Sequence, residues 1–258
     1  GRPPRARPDR RGQTAAGVND SAKGNGAIPP FSLYLFDVDG TLLDSAEDIC
    51  GAVLEALNGT PCLPATPEAL KRFVGLHLID TFLAFLPGAT PEQLDALIAK
   101  YRAVYPARGH KCTRPYVGVV ETLEALPGWK STATTKASST TRAILEQFGL
   151  LQYFDHVQGT DGFPYKPAPD VVLKSVELFK VRPEDVLFVG DSAPDMEAGR
   201  RAGVRTAAVT YGYGDHAEMR RWEPDYWIDD LRQLLPRRDN AGAVPGRLAR
   251  LRYPDLNA

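Results

Sequence analysis

The sequence predicts an α/β fold, a parallel sheet with helices on both faces, interrupted near its start by an all-helical insert. Three observations predict it. After about residue 116, short apolar runs alternate with helix-period segments, the pattern of strands joined by crossover helices. Between about 45 and 115, helix signals follow one another with no strand pattern between them. Two apolar runs, Leu33-Tyr34-Leu35-Phe36 and Val186-Leu187-Phe188-Val189, lead straight into acids, as strands do whose carboxyl ends open on a ligand crevice.

Residues 1 to 30 are polar, rich in Arg, Gly and Pro and without periodicity, and read as a flexible tail. The core, expected over 31–44 and 116–235, opens with the 33–36 strand and its turn, Asp37-Val38-Asp39-Gly40-Thr41. The insert, 45–115, starts at Ser45 with Asp48 three residues on, a spacing that predicts a capping box. Ile49, Val53 and Leu57 then recur every fourth residue until Asn58-Gly59 stops the helix. Thr66-Pro67-Glu68 and Thr90-Pro91-Glu92 each set a cap before Pro at the first helical position, and Leu94, Leu97, Ile98 and Tyr101 form an apolar stripe. In the resumed core, Trp129 to Thr135 reads as a strand and Ser138 as the cap of a helix that ends at Phe148-Gly149. Phe154 to Val157 reads as a short strand, Val171 to Phe179 and Met196 to Ala202 as helices, and Thr206 to Val209 and Tyr226 to Ile228 as the final strands. Residues 236–258 read as a second tail, in which Leu248, Leu251 and Tyr253 are able to dock on the body.

Composition narrows the classes of function. With 43% hydrophobic and 24% charged residues the chain suits a globular protein, and a net charge of -1 argues against nucleic acid or an anionic membrane as its main partner. No apolar stretch approaches the roughly eighteen residues of a spanning helix, and no signal-peptide core stands near the start, so the expected setting is the cytoplasm. Cys50, Cys62 and Cys112 share no metal-ligand spacing and are expected as reduced thiols. The scattered His77, His110, His156 and His216 argue against a zinc cluster.

Four short segments carry the chemistry. Asp37 and Asp39, two apart in extended chain, point the same way, and Gly40 allows the chain to turn tightly behind them. The 129–135 strand ends in the hydroxyls of Thr134 and Thr135, which with helix-start amides suit phosphate oxygens. Lys166 stands alone before a helix in Lys166-Pro167-Ala168-Pro169-Asp170. Asp191 leaves the 186–189 strand, with Asp195 one helical turn on. Taken singly, most have an ordinary structural account: an Asp-Gly turn, hydroxyl caps, a solvated loop lysine, and for Asp195 an acid favouring a helix dipole, which does not explain Asp191. Together and in this order they resemble the four motifs of the haloacid dehalogenase-like hydrolases, in the branch of phosphatases similar to phosphoglycolate phosphatase. The likeness runs from about 33 to 235 and takes in Asp39-Gly40-Thr41-Leu42-Leu43-Asp44-Ser45 and Thr210-Tyr211-Gly212-Tyr213-Gly214. One departure shows, Thr135 standing where many such relatives have Asn.

The resemblance implies a Rossmann-like core with a helical cap over the site, and Mg2+-dependent hydrolysis of a small phosphorylated metabolite, phosphoglycolate first. Charge imposes the same need for a cation. A phosphate monoester repels an attacking carboxylate unless a hard divalent ion offsets it, and Mg2+ prefers one or two carboxylates with water and substrate oxygens. Asp37 and Asp191 are expected to supply those carboxylates, and the family pattern adds the backbone carbonyl of Asp39. Asp37 is the expected nucleophile, forming an aspartyl-phosphate, and Asp39 the acid and base of the two half-reactions. Lys166, Thr134 and Thr135 are expected to hold phosphoryl oxygens, and Asp195 to orient Lys166 or a metal-bound water. Lys71, Arg72, His77, Arg108, His110 and Lys111 are the basic candidates in or beside the insert for gripping the leaving group.

Other readings differ at named residues. A dehalogenase of the same superfamily lacks the second acid of the first motif, so Asp39 argues against it. A phosphomutase resembling β-phosphoglucomutase, or a phosphatase for a sugar phosphate or biosynthetic intermediate, keeps every motif. A signalling receiver domain carries its acid pair on an earlier strand and needs no helical insert. A non-catalytic binding module on this fold is expected to have lost an acid, and none is lost here.

Overall fold

The computed structural model describes residues 27–236. The expected tails lie outside the described residues except for 27–30 and Pro236, as do Leu248, Leu251 and Tyr253; within this margin Ile28 already packs into the core beside Phe31. Strand β1 (Leu33–Phe36) is buried along its whole length. After the turn at Gly40 come β2 (Leu43–Asp44), α1 (Ala46–Leu57), α2 (Pro67–Lys71), α3 (Leu78–Phe85), α4 (Pro91–Ala107) and β3 (Arg114–Pro115). The rest alternates: α5 (Val119–Ala125), β4 (Trp129–Thr132), α6 (Ser138–Gln147), α7 (Asp170–Phe179), β5 (Val186–Gly190), α8 (Ala193–Ala202), β6 (Arg205–Val209), α9 (His216–Arg220) and β7 (Tyr226–Ile228). The main sheet has the order β4-β1-β5-β6-β7 and every pairing in it is parallel, as the alternation predicts.

The period of two along the strands sorts the core into two faces. Tyr34, Phe36, Leu187 and Val189 pack with Leu123 of α5 and Ile144 and Leu145 of α6. Leu33, Leu35, Val186 and Phe188 pack on the other side with Val171 and Val172 of α7 and Ala198 of α8. All eight strand residues are fully buried, which stabilises the sheet by roughly 1.5–3 kcal/mol for each large side chain. The first of these clusters continues into the insert, where Ile49, Val53 and Leu57 of α1 meet the Leu94, Leu97, Ile98 and Tyr101 stripe of α4.

Several local expectations are corrected by partners distant in sequence. The insert is not purely helical at its ends, because the chains entering and leaving it pair as β2 and β3, with Leu43 opposite Pro115 and Asp44 opposite Arg114. Two residues a side show no periodicity, and Pro115 argues locally against a strand. Ser45 makes no cap bond to α1, and Asp48 instead accepts from the Cys112 amide at 2.9 Å and the Thr113 hydroxyl at 2.8 Å, tying the insert's exit to its entry. Ala137, not Ser138, stands at the cap of α6; the Ser138 hydroxyl bonds Asp161. The strand expected over 154–157 is only an isolated bridge from His156 to Ser131. Thr66 and Thr90 do cap α2 and α4, accepting from Ala69 at 3.2 Å and Gln93 at 3.3 Å. Helix α8 starts at Ala193, before the expected Met196, since Pro194 fits a first turn. Among the described residues no helix is long and apolar enough to cross a membrane.

Sheet order is what positions the site. β1 lies between β4 and β5, with Phe36 level with Thr132 on one side and Val189 on the other. Neighbouring strands run about 4.8 Å apart, so the residues that follow them, Asp37, Ala133-Thr134 and Asp191, leave the sheet side by side. This is where successive crossovers from β1 diverge, the usual position of a ligand crevice.

Candidate active site

Asp37 continues β1 by one more sheet bond, its amide donating to the Val189 carbonyl at 2.9 Å, and its carboxylate is 2% exposed. Lys166 reaches it from the loop before α7. The ammonium donates to Asp37 Oδ1 at 2.7 Å, Asp195 Oδ1 at 2.6 Å and the Ala133 carbonyl at 3.0 Å, which uses all three of its protons. Asp195 Oδ2 accepts from the Ser192 amide at 3.0 Å and hydroxyl at 2.5 Å, so both its oxygens are engaged and Lys166 is fixed from behind. Burial pushes the Asp37 carboxyl up; Lys166 opposes this, Asp195 and Asp39 add to it, and the result is about 6. Burial alone would depress Lys166, but the Asp195 and Asp37 charges outweigh it and hold the ammonium above its ordinary range.

Asp191 sits in a cradle of backbone. The Thr41 hydroxyl donates to its Oδ1 at 3.1 Å and the Tyr213 amide to its Oδ2 at 2.8 Å. A Cβ built on Gly40, Gly212 or Gly214 would fall onto Asp191, and Gly40 also needs its φ of +87°, which side chains rarely adopt. Burial, then the charges of Asp195 and Asp37, drive the Asp191 carboxyl well above its ordinary range.

Asp39 is 4% exposed and faces the insert. Its Oδ1 accepts from the Ser45 hydroxyl at 2.5 Å and its Oδ2 pairs with the Lys136 ammonium. Lys136 was not legible as a site residue; its only local signal is a cation placed directly after two hydroxyls at a strand end. Thr134 is 2% exposed, with the Lys136 amide at 3.5 Å from its hydroxyl, and Thr135 lines the cavity between core and insert.

Single carboxylate oxygens of Asp37, Asp191 and Asp195 lie within 4.8 Å of one another. Their charge balance fits a divalent cation: the four buried acids Asp37, Asp39, Asp191 and Asp195 face the two ammonium groups of Lys136 and Lys166, leaving two negative charges unmatched. An all-oxygen donor set suits a hard ion; Asp195 accepts three bonds from Lys166 and Ser192, whereas Asp37 gives only Oδ1, to Lys166, and each Asp191 oxygen accepts a single neutral donor, so Asp37 and Asp191 keep more lone pairs for it. The Asp39 carboxylate is outside this group, so any part it has in holding a metal falls to its main chain.

The profile of the haloacid dehalogenase-like hydrolases matches residues 34–209, which carry all four of these segments. The chain belongs to this family. It is 36% identical over 222 residues to a phosphoglycolate phosphatase of Pseudomonas aeruginosa, covering 82% of this chain and 81% of that protein. It is also 33% identical over 206 residues to a pyrophosphatase of Bacillus mycoides, covering 78% of this chain and 94% of that protein. Among solved structures, a predicted phosphatase from Clostridium acetobutylicum is similar with a TM-score of 0.73 at 28% identity, covering 80% of this chain and 97% of that one.

In this hydrolase the insert closes one side of the site. Gly75, on the loop after α2, comes close enough that a Cβ there would stand 3.9 Å from the Asp39 carbonyl. His77 stacks on Tyr165, the residue before Lys166, with ring centres 3.8 Å apart. Between insert and core lies a cavity of about 140 Å³, with Asp39, Thr135 and Lys136 on its floor and residues of α1, α2 and α4 as its walls. Of the six basic candidates only His77 lines it. Lys71 lies over the Tyr213 ring, Arg72 over Phe73, Arg108 beside Asp48 and Glu55, His110 behind Tyr105, and Lys111 is exposed. Arg102 of α4 lines the cavity and was missed, since its position in the second half of the helix gives no local sign of what it faces.

Proposed function

We propose that this hydrolase cleaves small phosphate monoesters with Mg2+ through an aspartyl-phosphate on Asp37, with phosphoglycolate as the leading substrate. The observation that carries the reading is the meeting of Asp37 and Asp191 at the ends of adjacent strands, with Lys166 on the first and Asp39 beside it. Core segments 31–44 and 116–235 hold the chemistry, and the insert 45–115 acts as the cap.

Asp37, Asp191 and the Asp39 carbonyl would hold Mg2+, which when bound would offset the charge of the ester and of the attacking carboxylate. A carboxylate oxygen of Asp37 bonds to phosphorus as the ester oxygen departs with a proton from Asp39. Asp39 then takes a proton from water, whose oxygen attacks the phosphorus, releases phosphate and restores Asp37. Lys166 and the hydroxyls of Thr134 and Thr135 hold phosphoryl oxygens whose charge grows in the transition state. Asp195 keeps Lys166 aimed, and the cap keeps bulk water out.

The test is phosphate release from a panel of phosphomonoesters, with Mg2+ and with a chelator. Release that needs the metal, with kcat/KM highest for phosphoglycolate, is expected. Turnover that depends on an added sugar bisphosphate would move the assignment to a mutase, and no release from any ester would end it.

A further inference from the structure

We propose that Lys136 and Arg102 bind an anionic end of the leaving group, so that these two residues set a preference for phosphate esters or anhydrides whose leaving group carries a second negative charge, a carboxylate or a phosphate. This rests on the phosphatase reading and goes beyond it by naming the residues of this chain that hold the leaving group.

Asp39 lines the cavity, so the oxygen it protonates and the group attached to that oxygen lie there. The charged side chains on the walls are Asp39, Lys136 and Arg102, one anion against two cations. Lys136 holds its ammonium at the cavity floor between Asp39 Oδ2 and the face of the Tyr105 ring, 5.1 Å from the ring centre. A lysine can donate three hydrogen bonds, so an entering anion is a second partner for it. Arg102 has no acidic partner among the described residues. Tyr105 is 2% exposed, and its ring backs the Lys136 ammonium from the side of α4.

The remaining walls carry no further charge. Ile49, Val53, Leu70, Phe73 and Val74 are apolar, and apart from the charged groups the polar side chains are chiefly hydroxyls. His77 Nδ1 accepts from the Ile79 amide at 3.3 Å, which leaves Nε2 as the ring's remaining polar atom. A short anionic group needs only the cations at one end, and a volume of about 140 Å³ suits it.

The experiment compares kcat/KM of the full chain with Mg2+ on phosphoglycolate, pyrophosphate, 2-hydroxyethyl phosphate and an aryl phosphate. At least one of the two anionic substrates is expected to exceed hydroxyethyl phosphate by about 30-fold, the scale of one charged hydrogen bond. Which of them leads tells carboxylate from phosphate. Lys136→Met should bring that ratio to near one and Lys136→Arg should restore much of it. Arg102→Gln, at an exposed position that folding tolerates, should lower it partway. A wild-type ratio near one, or a Lys136→Met loss equal on all substrates, would overturn the inference, the latter because Lys136 would then serve Asp39 alone. Turnover of the aryl phosphate with no anionic preference leaves the phosphatase reading standing, whereas no turnover of any substrate ends both.

Discussion

The polar groups at the strand ends and those on the insert's cavity face are held in opposite ways. Asp191 and Asp195 each have two partner residues, Asp37 is paired with Lys166, and Lys166 has every proton used. On the insert side, Arg102 lines the cavity with no acid beside it among the described residues, and behind that face the Tyr105 hydroxyl and His110 Nδ1 are buried without a partner among the described residues. The core side is therefore set before any substrate arrives, as catalysis by oriented charge requires, while the insert side keeps bonding capacity in reserve. Chemistry and selectivity are separated in space, and perturbations on the two sides should differ in kind.

The largest effect is expected from the proposed nucleophile. Asp37→Asn should lower kcat by at least about 10⁴-fold on every phosphate ester, phosphoglycolate and aryl phosphate alike, because it removes the bond-forming oxygen and nothing else in the site replaces it. Thermal unfolding should show a folded protein, since a neutral amide of the same shape fits the pocket. Unequal losses among substrates would contradict the separation.

Next in size is Lys166→Met, which leaves two buried acids without their cation. Removing one partner from a buried ion pair costs about 3–5 kcal/mol, so unfolding should come roughly 10 °C earlier, besides the loss of turnover. A variant as stable as the wild type would show that the Asp37 and Asp195 charges are already neutralised in the native protein.

The strand-end residues were legible because their signal is local: an apolar run followed at once by an acid marks where a buried strand opens on a crevice, and Asp37, Asp39 and Asp191 all carry it. Arg102 and Tyr105 owe their place at the site to the docking of α4 over the core, and Lys136, though it follows a strand end, gains its partners Asp39 and Tyr105 from segments that no window of neighbouring residues contains. Ser45 shows the limit of a local rule. Its spacing to Asp48 matches a capping box, yet Asp39 takes the hydroxyl, and Cys112 and Thr113, more than sixty residues on, take the acid.

The third prediction uses pH to test whether the core side is poised for a cation. The folded value of Asp37, about 6, lies above the ordinary carboxylate value of about 4, and Asp191 is displaced the same way. A raised folded value means that these acids add stability at low pH and that this is lost as pH climbs from about 4 through about 6. A divalent cation takes the place of the lost protons. Mg2+ at about 100 times its dissociation constant should add about 2.7 kcal/mol at pH 7.5, and much less at pH 5, where protons compete for the same oxygens. A Tm gain independent of pH would place the ion elsewhere.

The smallest expected effect lies at the joint between the two sides. Because Ser45 gives its hydroxyl to Asp39, the first turn of α1 is capped by another residue: the Tyr213 hydroxyl accepts from the Ser45 and Ala46 amides at 2.8 and 3.1 Å and donates to Asp44 at 2.6 Å. Tyr213→Phe removes this cap but keeps the backbone amide that holds Asp191, so it should cost about 1 kcal/mol of stability and change kcat/KM by less than about tenfold. Ser45→Ala should do the reverse, leaving the helix capped and slowing turnover through Asp39. Both variants are read by the same pair of measurements, Tm and kcat/KM. If both lost activity with no change in Tm, the start of α1 would belong to the catalytic machinery rather than to the hinge, and the boundary between the two sides would run inside the insert.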